Sequence, residues 1–191
     1  MTEPLARRHA LVVLALAALA GCSQTPPPLL YTLVPLPGTP VARPVPPFAL
    51  RAVVVPKYLD RPQIVRHRTS IELATNEFER WAEGLDDMVT RVLLEDLSTR
   101  LPATQITVYG SAVTPRADTT VAIDIARFDP DPDGTAMLEA RWTINLGEKA
   151  SIVRLERISV HSASIKAADL VAAMSDCLAQ LSDRIAQALA G

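Results

Sequence analysis

Three aspartates at 129, 131 and 133, closed by Gly134, come nearest in spacing to a binding site. Alternating carboxylates ahead of a glycine make the first half of a calcium loop, where oxygens converge on one hard cation. The second half is missing. The position that needs a bidentate glutamate is Ala140, and Pro130 and Pro132 stiffen the backbone between the carboxylates. The run therefore reads as a solvated hairpin turn, and no metal site is expected. The histidines offer no more. His9 lies in an apolar leader, while His67 and His161 sit on strand-like stretches among charged or polar neighbours, without a local nucleophile–base signature. No Gly-rich phosphate loop and no Cys/His ligand spacing occurs. Asp86/Asp87 and Glu95/Asp96 fall on a helical pattern and read as solvated faces. No catalytic residue is expected, and the chain reads as a non-enzyme.

The two cysteines carry the clearest chemical signal. Leu19-Ala20-Gly21-Cys22 closes an apolar run from Ala10 that follows Arg7 and Arg8. A charged start, a short apolar stretch and a small-residue cut site make a secretory signal peptide over residues 1–21. The run is about half of the ~20 residues that a spanning helix needs. A cysteine directly after the cut, between Gly21 and Cys22, is the pattern of a bacterial lipoprotein. The Cys22 sulfur then takes a diacylglycerol, and its new amino group an acyl chain. These covalent lipids are the only added groups expected, with no cofactor besides. Several chains hold firmly, because each buried CH₂ adds about 0.8 kcal/mol. Cys177 is left without a partner and reads as a small buried hydrophobe on an Ala/Leu-rich helix, the other possibility being an intermolecular bridge.

Setting aside Arg7, Arg8 and Glu3 leaves 17 basic against 20 acidic residues, so there is no basic excess for nucleic acid. Residues 22–47 hold nine of the sixteen prolines and read as a lipidated, semi-rigid tether. Within them, Leu29–Val34 is β-prone and could add an edge strand. Residues 48–191 suffice for one domain with a proper core.

The elements follow from periodicity. Phe48–Val55 reads as a buried strand, Asp60-Arg61-Pro62 as a turn, and Gln63–Arg66 and Ser70–Ala74 as strands. Asn76–Trp81 reads as a bend. Leu85, Met88, Val89, Val92, Leu93 and Leu97 space a helix that Pro102 stops, with Asp86 and Asp87 near its positive end. Short Gln105–Tyr109 and longer Thr119–Phe128 follow as strands. Ala136, Leu138, Ala140, Trp142, Ile144 and Leu146 alternate cleanly, the mark of a half-buried antiparallel strand. Ser151–His161 changes phase between Val153/Leu155 and Ile158/Val160, which predicts a bulge. A last helix carries Leu170, Met174, Leu178, Leu181, Ile185 and Leu189 on one stripe. The sum is an α+β fold, a mainly antiparallel sheet with two helices packed on one face.

Val54-Val55-Pro56-Lys57-Tyr58-Leu59-Asp60-Arg61-Pro62-Gln63-Ile64-Val65 resembles the signature of the PqiC/YmbA-type lipoproteins, the auxiliary lipoprotein family of ABC-type transport. Tyr31-Thr32-Leu33, Phe78-Glu79-Arg80-Trp81-Ala82-Glu83, Arg127-Phe128 and Trp142 fit the same pattern. The resemblance implies a periplasm-facing lipoprotein, typically of the outer membrane. Its partners would be MCE-domain proteins that carry phospholipid between membranes, and its role that of a docking subunit, often a ring-forming homo-oligomer. Ser23, and not an aspartate, follows Cys22, which favours outer-membrane sorting. Tyr58, Leu59, Asp60 and Arg61 form the segment expected at a partner contact, since Tyr and Arg are favoured there. The alternative is that Asp60 and Arg61 merely fix a tight turn. The competing function is a lipoprotein that itself binds and carries a lipid or other apolar ligand.

Overall fold

The computed structural model describes residues 26–110, 118–147 and 151–191. The signal peptide, its cut site and Cys22 lie outside the described residues. Among the described residues the order is β1 (Leu29–Tyr31), β2 (Phe48–Leu50), β3 (Gln63–His67), β4 (Leu73–Trp81), α1 (Leu85–Arg100), β5 (Ile106–Val108), β6 (Thr119–Pro130), β7 (Thr135–Leu146), β8 (Ile152–His161) and α2 (Ala167–Ala190). This is an α+β fold.

A five-stranded sheet runs β5-β2-β6-β7-β8, and a smaller one runs β1-β4-β3. The long β6-β7-β8 ladders are antiparallel, while β2 lies parallel to both its neighbours. The second sheet is an addition to the expected single one. It exists because Asn76–Trp81 is no bend: the β-prone stretch Leu73–Trp81 continues straight and pairs with β3 and, in parallel, with β1.

The inner face of the large sheet presents Ala136, Leu138, Ala140, Trp142 and Ile144 from β7, all buried, and β6 adds Val121, Ile123 and Phe128. The stripes of both helices meet this face in one core, with Met88, Val92, Leu93, Leu178 and Leu181 at its centre. Trp81 and Trp142 are both core residues. The alternation and the two stripes have to close on one another, because each hides its apolar surface only against the other.

The bulge lies elsewhere than expected. Ile144↔Ile152 through Thr135↔His161 pair β7 with β8 in unbroken register. The slip is in β6, between Ile125 and Arg127, where Ala126 is extra. The phase change in β8 has another cause. Ile152, Ile158 and Val160 face the helices, whereas Val153 and Leu155 stand on the opposite, open face, Leu155 72% exposed.

Residues 129–134 close a hairpin between β6 and β7. Asp131 N–H donates to Thr135 O at 2.8 Å and Gly134 N–H to Asp131 O at 3.0 Å. Gly134 adopts φ +86°, which disfavours any side chain there.

The described part of the proline-rich stretch packs on the helices as a strap. Leu33 and Val45 are buried. Val34 N–H donates to Ser175 Oγ at 3.2 Å, and Val41 N–H to Arg100 O at 2.9 Å. Its prolines hold it extended; its buried Leu and Val attach it. A spacer free of the body is therefore not what residues 33–45 form.

Candidate functional site

The segment singled out at 58–61 divides in two. After β2 the backbone leans on β6, Val54 N–H donating to Ile123 O and Ile125 N–H to Val54 O. Pro56 then starts a tight turn, closed by Leu59 N–H to Pro56 O at 2.9 Å and Asp60 N–H to Lys57 O at 3.2 Å. The turn drives Leu59 into the core and points Tyr58 at β6. Asp60 and Arg61 are left at the surface.

Tyr58 OH donates to Asp129 Oδ2 at 2.6 Å. On the other oxygen, Arg127 Nε donates at 2.8 Å and His67 Nε2 lies at 3.3 Å. The Asp129 carboxylate is fully buried, so these partners replace its lost water. Burial first, and then the carboxylate it touches, push the Tyr58 hydroxyl far above its ordinary range. The cluster joins the turn, β3 and β6, and it holds the small sheet over the hairpin end of the large one.

The aspartate triplet does not converge. Asp129 faces Tyr58 and Arg127, Asp131 pairs with Arg127, and Asp133 Oδ1 accepts from Thr135 N–H at 2.9 Å. His161 lies apart, 3.1 Å from Thr135 Oγ1. The other ring nitrogen of His67 meets Thr69 O at 3.1 Å.

Away from the hairpin end, the same sheet face is open. Asp124, Ala126, Glu139, Arg141, Leu155 and Arg157 line a groove of about 550 Å³. Register builds it in rows: Asp124 opposite Arg141 opposite Leu155, then Arg127 opposite Glu139 opposite Arg157. Arg157 Nε reaches Glu139 Oε1 at 2.9 Å. A second exposed feature is the β3–β4 tip, where Ile71 is 93% exposed above Arg68 and Glu72. The apolar residues of β8 that fall out of phase were the signal for the groove, once taken as a second face.

The remaining buried polar centre fastens the strap. Arg100 is 1% exposed; its Nε meets Asp183 Oδ1 at 2.5 Å, Nη1 donates to Leu36 O at 3.1 Å and Nη2 to Ala179 O at 3.0 Å. Asp96 Oδ1 accepts from Leu36 N–H at 2.7 Å, and its Oδ2 has no partner. Burial pushes the Asp96 carboxyl up to about 6, against the opposing pull of that N–H and of Arg100. Gly38 crosses directly over Arg100: a Cβ there would lie 2.3 Å from Cζ. Leu36, Gly38, Asp96 and Arg100 carry no sequence motif that marks them.

Solved structures share this fold. A crystal structure of an uncharacterized protein superposes with TM-score 0.72 at 21% identity, covering 85% of this chain and 99% of that one. A protein from Xanthomonas campestris superposes with TM-score 0.70 at 20% identity, covering 84% and 95%. No curated protein gives a significant match. The model of the ABC-type transport auxiliary lipoprotein component matches residues 31–186, from the first strand through most of the last helix. That span takes in the strap, both sheets and the buried Tyr58–Asp129 cluster, and the chain belongs to the ABC-type transport auxiliary lipoprotein component family.

Proposed function

We propose that this chain is a non-enzymatic lipoprotein subunit of an envelope phospholipid-transport system. It is lipid-anchored through Cys22 in the outer membrane and faces the periplasm. It docks a periplasmic MCE-domain protein there and associates with further copies of itself. The observation that carries this reading is the family match over residues 31–186. Docking is favoured over carriage by the packing. Trp142, Phe48, Phe128, Leu50 and Met88 fill the space between helices and sheet, so a carried acyl chain would have to displace core side chains. The surface at Asp60 and Arg61 and the open groove are the contact areas.

Pull-down of the full-length lipoprotein from its own envelope in mild detergent tests the partner. Recovery of an MCE-domain protein, reduced by Arg61→Glu, supports docking. Failure to recover one, together with stoichiometric phospholipid in an organic extract of the purified chain, replaces docking with carriage. Deleting the gene is expected to weaken the envelope against detergents.

A further inference from the structure

Strand β8 ends the large sheet, and among the described residues its outer backbone edge has no strand partner. It is long for an edge, spanning Ile152–His161. Such edges recruit other strands unless like charges or prolines guard them. Here the charges differ in sign, and their order is self-complementary. Ile152-Val153-Arg154-Leu155-Glu156-Arg157-Ile158 reads apolar, apolar, plus, apolar, minus, plus, apolar.

We propose that a second copy of this chain pairs with β8 in antiparallel fashion, about a two-fold axis at Leu155. This names the surface for the self-association in the function proposed above and rests on that part of it. Centring the axis at Leu155 puts Arg154 opposite Glu156 of the second copy, and Glu156 opposite its Arg154. Both pairs fall on the helix side, because Arg154 and Glu156 oppose Trp142 and Ala140 on the inner face of β7. Glu156 already meets Arg184 of α2, and a carboxylate has acceptor sites for a second cation. On the open face Leu155 meets its own counterpart, and Val153 lies against the aliphatic stem of Arg157. Opposite charges and apolar pairs directly across a ladder each stabilise it. Shifting the axis by one residue, to Arg154 or Glu156, would put like charges directly opposite.

The test is register-specific cross-linking in the full-length chain, with the wild-type chain as control for Cys22 and Cys177. Leu155 opposes itself, so Leu155→Cys brings two Cα atoms to about 4.5–5.5 Å, within disulfide range. Val153 and its counterpart are offset by four positions, about 13 Å, beyond that range. Both side chains are exposed, so neither substitution disturbs the core. Mild oxidation is expected to double the mass of Leu155→Cys on a non-reducing gel and to leave Val153→Cys a monomer. Light scattering of the wild-type chain in detergent separates the two readings. Self-association without the Leu155→Cys cross-link, or with equal cross-linking at both positions, overturns the β8 pairing alone. A monomer at every concentration overturns self-association with it.

Discussion

Replacing Asp96 by asparagine tests the account of the strap. The Asp96 carboxyl is buried, its Oδ2 is unpartnered, and its pKa stands at about 6 where an unfolded chain has 3.8. The folded state therefore binds the proton more tightly than the unfolded one. Stability from this group is complete below pH 3.8 and is lost as pH rises to about 6. A difference of that size between the folded and unfolded chain corresponds to about 3 kcal/mol at neutral pH. Asparagine cannot ionise, yet its oxygen can still accept from Leu36 N–H. The stability difference, Asp96→Asn minus wild type, should climb by about 2 kcal/mol between pH 4 and pH 7. That is a sizeable part of the 5–15 kcal/mol of a typical domain. Urea unfolding followed by Trp81 and Trp142 fluorescence, at half-unit pH steps, measures it. A flat difference would mean that Arg100 offsets the burial in full. A difference that falls with pH would refute the reasoning, because the ion pair would then outweigh desolvation.

Three further outcomes follow from the same contacts. Gly38→Ala drives a methyl into the Arg100 guanidinium and should cost about 1–3 kcal/mol, read as a lower urea midpoint. Tyr58→Phe leaves a buried carboxylate oxygen short of a donor and should cost about 1–3 kcal/mol, while Arg61→Ala changes stability by less than about 0.5 kcal/mol. Equal costs for the two would remove the division between anchoring and exposed halves of that turn. Burial pushes the Cys177 thiol up to about 12, so it should resist iodoacetamide at pH 8 until urea unfolds the chain.

The parts of the fold that were legible are those where one face must hide from water. Ala136–Leu146 alternates because its neighbours on both sides and the helices above leave it one dry face. Helix α2 shows its stripe for the same reason. Leu33 and Val45 were not legible, because nine prolines dominate their surroundings and a strap has no period. Asn76–Trp81 misled because its polar run, exposed at Asn76–Phe78 and buried only at Trp81, suits a strand of a small outer sheet as well as a bend. Tyr58 illustrates the limit for the site. A tyrosine beside an exposed arginine looks like a contact residue, and only the fold brings Asp129 beneath it. The groove was written in Val153 and Leu155, but an apolar residue out of phase reads equally as a bulge.

The strap also sets a distance. With the chain packed from Leu29 onward, the proposed anchor at Cys22 would be separated from the folded body by a stretch that spans at most about 25 Å even fully extended. A free stretch to residue 47 would have let the body roam several times farther and tumble. On the proposed function, a body on so short a leash would stay within that reach of the bilayer. A partner crossing the compartment would then have to come to the membrane to meet it, and copies confined to that thin layer would encounter one another at a local concentration far above their average in the compartment.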